Sequence, residues 1–350
     1  MKTLKEVNFK DKKVVLRCDF NVPIEDGVVT ENERIKEALR TIDYILDQGP
    51  KMLLLISHLG RPNGKEVSEF SLEPVYKELK ELTGEEIVNV KNIKEMKLLQ
   101  GKEGEFRRMY FLENIRFWPE EELADEEFAE EVMAGVDVYV NDAFSTSHRN
   151  HASLTKFPKF AAEKCIGFLF EEELSELAKV KDNPQKPSVA IIGGAKIETK
   201  LPVIEKLLEN YDWILVGGKV ANEVLDKGLN LGKKVILPID FSPENEQEKR
   251  FDIGPKTLEK FEEKIKEANF ILYNGPLGMF EEDKYAIGTK RVIKMVSKNK
   301  DAYKVVGGGE TVEAIEEFGS LKGFDYVSMG GGAMLEFLGG KELPGIKALS

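Results

Sequence analysis

Val189-Ala190-Ile191-Ile192-Gly193-Gly194-Ala195-Lys196 is an unbroken apolar run that stops in a bare glycine turn and a lysine. A strand that is apolar at every position, rather than at every second one, has both faces covered, as in a parallel sheet between helix layers. The pattern recurs at Trp213–Val216 before Gly217-Gly218, at Phe270–Tyr273 before Asn274-Gly275-Pro276, at Lys304–Val306 before Gly307-Gly308-Gly309, and at Tyr326–Met329 before Gly330-Gly331-Gly332. A further strand is expected at Val235–Ile239. Apolar residues spaced by three and four predict helices between them, at Leu201–Asn210, Lys219–Lys227, Thr257–Glu267, Ile287–Asn299, Thr311–Phe318 and Ala333–Leu338.

The first half repeats the strand–helix alternation with different strand ends. Strands are expected at Val14–Arg17, Met52–Ile56, Glu86–Val90, Met109–Leu112, Val136–Val140 and Cys165–Phe168, with helices at Asn32–Gln48, Leu72–Thr83 and Asp125–Met133. These strands run into polar and basic residues: Arg17-Cys18-Asp19-Phe20-Asn21, Ser57-His58-Leu59-Gly60-Arg61-Pro62, Glu113-Asn114-Ile115-Arg116 and His148-Arg149. Between the halves, Glu171–Val180 reads as a helix with an acidic first turn, and Lys181-Asp182-Asn183-Pro184-Gln185-Lys186-Pro187 breaks it. The expected organisation is a first domain over residues 1–170, a connector over 171–186 and a second domain from 187. The fold class is α/β: two doubly wound, parallel-sheet, three-layer domains, expected to face each other across a cleft because ligands bind at the carboxyl ends of such strands.

At 350 residues, two domains of roughly 150–200 residues are the default. Composition is that of a globular protein, 41% apolar and 33% charged. No apolar run approaches the ~20 residues that span a bilayer, and the first residues carry no signal-peptide core. Cys18 and Cys165, the only cysteines, sit in apolar runs and read as buried free thiols in a reducing cytosol. A formal charge of −12 excludes a nucleic-acid partner as the default. No heptad or exposed patch suggests an oligomer, so a cytoplasmic monomer is expected.

The strand ends divide the chemistry. Glycine turns bring several backbone N–H groups close to a polyphosphate. Arginines and histidines suit a small anion of fixed geometry. One half reads as a nucleotide side and the other as an acidic-metabolite side, which points to phosphoryl transfer. Direct transfer needs positioning and charge neutralisation more than a protein nucleophile. The chain accordingly has no nucleophile elbow, HExxH, cysteine cluster or Walker A sequence. Lys196 stands where a cation meets a phosphate held by the turn, and Lys200 shares its face if the helix has already begun. Helix starts near Gly308, Gly309, Gly331 and Gly332 aim N–H groups at an anion. His58, His148 and His151 are the only histidines; all neighbour arginines, and none has metal-ligand spacing. Asp19 and Asn21 either bond a ligand hydroxyl or form an Asx turn before Pro23.

The motifs, long and in order, resemble those of phosphoglycerate kinases. They run from Arg17-Cys18-Asp19-Phe20-Asn21-Val22-Pro23 through Leu112-Glu113-Asn114-Ile115-Arg116-Phe117, Asn141-Asp142-Ala143-Phe144 and Asp252-Ile253-Gly254-Pro255-Lys256-Thr257 to Gly340-Lys341-Glu342-Leu343-Pro344-Gly345. The resemblance implies reversible transfer between 1,3-bisphosphoglycerate and ADP, giving 3-phosphoglycerate and MgATP, with ATP/ADP and Mg²⁺ as cofactors. It implies that Asp19, Asn21, Arg34, His58, Arg61, Arg116 and Arg149 hold phosphoglycerate. Arg34 and Lys196 would neutralise the group in flight, with the backbone at Gly309 and Gly332. Lys200, Asn274, Gly308 and Thr311 would meet nucleotide phosphates, and Gly194, Ala195, Gly217, Gly218 and Pro276 the adenosine, with Glu281 on the ribose. The segment 336–350 would pack back on the first domain, leaving 187–335 as the nucleotide domain.

Three departures stand out. Glu310 replaces the aspartate that the family commonly uses on magnesium; one methylene moves the carboxylate by about 1.5 Å, and Mg²⁺ is strict about geometry. Gly217-Gly218-Lys219-Val220 replaces a longer glycine run, and the second domain reads as trimmed at Leu231–Lys234. The alternative they raise is a catalytically silent relative that binds nucleotide or metabolite in a regulatory role. A nicotinamide-dependent dehydrogenase has only the fold class behind it and lacks the GxGxxG turn.

Overall fold

The computed structural model describes residues 1–100, 109–246 and 249–350. The chain divides into two compact units, Met1–Leu174 with Leu343–Ser350, and Ser175–Glu342. The division falls inside one helix, Phe168–Asp182, which starts three residues before the expected connector. Residues 336–342 stay with the second unit because they finish the Gly331–Leu338 helix, whose Phe337 lies under the Lys181 ammonium.

In the first unit seven strands form one parallel sheet, in the order Lys2–Thr3, Glu163–Ile166, Val138–Asn141, Lys13–Arg17, Met52–Ile56, Met109–Leu112, Ile87–Val90. Alternation assigns the faces. Val14, Leu16, Leu53, Leu55, Met109 and Phe111 pack with Ile35, Ile42 and Ile45 of the Glu33–Asp47 helix and Val75 and Leu79 of Glu73–Thr83. The intervening Val15, Leu54, Tyr110 and Tyr139 are equally buried on the opposite face, where the Tyr139 hydroxyl donates to the Ser153 carbonyl at 2.5 Å. Chain order reverses direction beside Lys13–Arg17, so the loops after Arg17 and Asn141 meet at the switch point.

The second unit has six parallel strands, ordered Val235–Ile236, Trp213–Val216, Ser188–Ile192, Phe270–Asn274, Tyr303–Gly307, Tyr326–Ser328. Val189, Ile191, Ile271, Tyr273 and Val306 pack against Leu258, Phe261 and Ile265 of Pro255–Glu267 and Val292 and Val296 of Ile287–Lys298. Its switch point lies between Ser188–Ile192 and Phe270–Asn274, where the glycine turns stand.

Several expected bounds move for physical reasons. Val235–Ile236 is an edge strand of two residues, since Pro238 has no N–H for the ladder. The strand near Cys165 ends at Ile166, and Phe168 already begins a helix. The helix after Gly193-Gly194 starts at Ile197, four residues earlier than expected. A hairpin, Ile24–Glu25 with Val28–Val29, is absent from the sequence expectations; its turn is Asp26-Gly27, both at positive φ (+50° and +76°).

Candidate active site

In the first unit a basic recess assembles at the switch point. Asp19, one residue past the Lys13–Arg17 strand and its Cys18, accepts from the Asn21 N–H at 3.2 Å, which is the Asx turn, and also binds Arg34 and the Ser145 hydroxyl. The Asn21 side chain accepts the Gly60 N–H at 2.9 Å, tying together the loops that follow the Lys13–Arg17 and Met52–Ile56 strands. Gly60 has φ +58°, and a Cβ there would lie 2.4 Å from the Phe70 ring, so the Leu59-Gly60-Arg61 turn admits only glycine. Asn114 holds that turn by donating to the carbonyls of Leu59 and Phe70 at 2.7 and 2.9 Å and accepting from the Arg116 N–H at 3.1 Å. Arg116 in turn donates to the Gly60 carbonyl at 2.7 Å.

Burial sets the protonation of this recess. His58 is buried, and desolvation, then the Arg17 and Arg116 guanidinium groups, hold its pKa well below the usual imidazole value. Arg17 lies 3.2 Å from His58 Nδ1 and can only donate, so the neutral ring carries its proton on Nε2. Desolvation, then Arg116, Arg17 and Arg149, pushes His151 down to about 3. Arg116 itself is lowered to about 10 by burial first and by Arg17 second, and its buried Nε has no hydrogen-bond partner among the described residues, only an ion pair with the Glu122 carboxylate at 3.9 Å. A crowd of buried positive charge with an unmet donor is what an incoming anion relieves.

In the second unit the glycine turns are sewn to one another. The Gly193 and Gly194 N–H groups donate to the carbonyls of Asn274 and Pro276 at 2.9 and 2.8 Å, Gly217 donates to Ile192 at 3.0 Å, and Gly218 to Leu277 at 2.9 Å. A Cβ on Gly193 would lie 2.1 Å from the Pro276 carbonyl oxygen. Below the turns, the Asn274 side chain donates to the Gly307 carbonyl at 2.5 Å and accepts from Lys200. Thr311 Oγ1 accepts the Gly275 N–H at 2.7 Å. Lys200 therefore belongs to the helix Ile197–Leu207 and is buried; desolvation lowers it to about 8, with the Glu310 carboxylate pulling the other way. Helices Ile197–Leu207, Gly309–Phe318 and Gly331–Leu338 all begin at this edge, N-capped by Lys196, Gly308 and Gly330.

The two clusters gather most of the expected residues. Arg61 and Arg149 are exposed and their side chains make no ion pair or hydrogen bond among the described residues, although Arg149 is near enough to Arg116 and His151 to depress both. Lys196, Ala195, Glu310 and Gly332 are exposed at the edge, and Glu281 is exposed as well. Sequence reasoning missed Ser145, Glu121 and Ser153, and placed Arg17 only among the strand-end arginines that suit an anion, whereas it is fully buried. Arg17 was visible as a charge ending an apolar strand, but Ser145, Glu121 and Ser153 carried no signal.

Among the described residues no group of three acidic, histidine or cysteine side chains is placed to hold a metal. Glu310 offers one carboxylate, whose Oε2 would lie 3.8 Å from a Cβ on Gly194. That donor set fits an ion carried mainly by phosphates and water, as Mg²⁺ is.

A buried basic recess on one parallel-sheet unit and a backbone-lined edge on another suit the two anionic substrates of a phosphotransferase. The family model for phosphoglycerate kinase matches residues 4–243 and 236–341. Phosphoglycerate kinases from Finegoldia magna and Clostridioides difficile are each 38% identical, covering 99% of this chain and 98% of those proteins. The solved phosphoglycerate kinase of Coxiella burnetii superposes with a TM-score of 0.87 at 34% identity over 99% of this chain and 98% of that one. The chain belongs to the phosphoglycerate kinase family, and its reaction is reversible phosphoryl transfer between 1,3-bisphosphoglycerate and ADP. Nothing in the comparisons supports a silent relative. The alignment to the Finegoldia magna protein spans 397 positions against 350 residues here, so that protein carries segments this chain lacks. The two family-model stretches meet at 236–243, just beyond Leu231–Lys234.

Proposed function

We propose that the two units divide this reaction by ligand, the first holding phosphoglycerate and the second the nucleotide. Asp19, Asn21, His58, Arg61, Arg116 and Arg149 bind the acidic metabolite, with the neutral His58 donating from Nε2. Arg34 and Lys196 neutralise the phosphoryl group as it moves, and N–H groups at Gly309 and Gly332 add their dipoles. Lys200, Asn274, Gly308 and Thr311 face the nucleotide phosphates. Gly194, Ala195, Gly217, Gly218 and Pro276 form the adenosine wall, and Glu281 reaches the ribose. Glu310 is the carboxylate for nucleotide-bound Mg²⁺, an ion that supplies charge neutralisation of the phosphates.

The observation that carries this reading is the buried Arg116 Nε, without a hydrogen bond among the described residues and with Glu122 only at 3.9 Å, inside a recess of depressed histidines and in a different unit from the glycine edge. Such a recess favours an anion with fixed oxygens, and bare backbone favours a polyphosphate. The test is binding by calorimetry together with a coupled assay of 3-phosphoglycerate and MgATP. Arg116→Ala weakens phosphoglycerate and spares ATP; Gly194→Val does the reverse. Loss of both ligands in either variant refutes the division. We further propose that the enzyme is a cytosolic monomer. Cys18 and Cys165 are buried free thiols, and among the described residues no helix is long and apolar enough to cross a membrane. Sedimentation giving a dimer refutes the monomer.

A further inference from the structure

Glu121 is a fully buried carboxylate in the first unit that no part of the reaction uses. It sits in the short helix Pro119–Glu122, five residues after Arg116, whose turn is Ile115–Phe117. Both of its oxygens are occupied by Ser153, of the helix Ala152–Thr155: Oε2 accepts the Ser153 N–H at 2.7 Å and Oε1 accepts the hydroxyl at 2.6 Å. The same hydroxyl accepts from Arg17 Nε at 3.2 Å. Arg17 is 0% exposed, and its other nitrogens donate to the Cys18 carbonyl and to His58 Nδ1. His151 Nδ1 lies 3.8 Å from Glu121 Oε1.

We propose that Glu121 and Ser153 are positioning residues, a buried relay that holds Arg17 so that His58 keeps its proton on Nε2, towards the metabolite. A guanidinium with no exposure needs a negative group nearby, and Glu121 is the acid at the far end of its serine bridge. The relay also staples two loops: Glu121 follows Arg116, and Ser153 follows Arg149 and His151. One carboxylate therefore fixes the spacing of two arginines that come from different strand ends, and the tautomer of the histidine between them. Burial raises the Glu121 pKa above the usual carboxylate value, while Arg17 and then the two Ser153 bonds pull it back towards the ionised form.

This inference rests on the first unit holding phosphoglycerate, and the experiment separates the two. The full chain, labelled with ¹⁵N at histidine, is compared as wild type, Ser153→Ala, Glu121→Gln and Arg116→Ala. Long-range ¹H–¹⁵N spectra read the His58 tautomer; calorimetry reads 3-phosphoglycerate and ATP binding. Ser153→Ala keeps the buried charge pair and removes only the bridge, so it folds even where Glu121→Gln does not. The expected result is a single Nε2–H tautomer in the wild type, a mixed tautomer in Ser153→Ala, and phosphoglycerate binding weakened about tenfold, as loss of a hydrogen bond to a charged group gives. ATP binding stays at the wild-type value. An unchanged tautomer with unchanged phosphoglycerate affinity in Ser153→Ala, while Arg116→Ala loses affinity, overturns the relay and leaves the site standing. Unchanged affinity in Arg116→Ala overturns the site, and the relay with it.

Discussion

Gly275→Ala tests whether the nucleotide edge depends on backbones in direct contact. Gly275 has φ +101°, and a Cβ added there would lie 2.3 Å from both the carbonyl carbon and oxygen of Gly193. Neither atom can swing aside, because Gly193 is fixed by its own bond to the Asn274 carbonyl at 2.9 Å. An L-residue at this φ costs about 1–2 kcal/mol, and overpacking against fixed atoms about 1–3 kcal/mol more. The sum, about 2–5 kcal/mol, lowers the unfolding midpoint of a unit of this size by roughly 5–15 °C. Gly309→Ala is the internal control, since nothing lies within 4 Å of its Cβ position and its φ is not positive. Calorimetric scans of both variants, with ATP titrations, read the outcome. A Gly275→Ala protein that melts with the wild type, or a Gly309→Ala protein that falls as far, refutes the reasoning.

Arg34→Ala lowers turnover about a hundredfold or more while leaving ATP affinity alone, as removal of a group that acts on developing charge does; a raised Michaelis constant for phosphoglycerate at unchanged turnover contradicts the role. Glu310→Gln shifts the Mg²⁺ dependence of turnover to higher concentration, and Glu310→Asp does not; a wild-type Mg²⁺ titration in the glutamine variant reduces Glu310 to an acid on a helix dipole. Asp252 is buried and pushed up to about 7 by desolvation, against the N–H bonds of Gly288, Ile253 and Ile287. Its folded pKa exceeds its unfolded one, so its contribution to stability is whole below about pH 4 and is lost as pH rises to 7. Denaturant titrations of Asp252→Asn across that window show a flatter profile than the wild type; parallel profiles refute the assignment.

The strands were legible because burial on both faces leaves no polar position to confuse the period: Met52–Ile56, Met109–Leu112 and Trp213–Val216 lie where the apolar runs place them. Lys2–Thr3 was invisible, since two residues at a sheet edge have no period. The helix starts were harder. Ile197 to Lys200 follow a glycine turn and mix charge with apolar residues, so the pattern became periodic only at Leu201, after Lys200 had already turned inward to Asn274. At the site, turn chemistry was readable wherever glycine or asparagine marked it. The contacts of Asp19 with Ser145 and of Ser153 with Glu121 join residues 126 and 32 positions apart, and only the folded sheet puts them side by side.

The first unit is finished by the last residues of the chain. Leu343–Ser350 returns to it, with the Gly345 N–H donating to the Ser147 carbonyl at 2.8 Å and the Lys164 ammonium to the Ala348 and Ser350 carbonyls at 2.8 and 3.1 Å. During synthesis the second unit, Ser175–Glu342, leaves the ribosome before the piece that completes the first. In the usual order the earlier domain is finished before the later one appears; here the earlier unit receives its last segment only after the later one has been made. The nascent first unit therefore lacks its partners for Ser147 and Lys164 until Leu343–Ser350 has been made, and it is over that interval that a chaperone has the longest time to act.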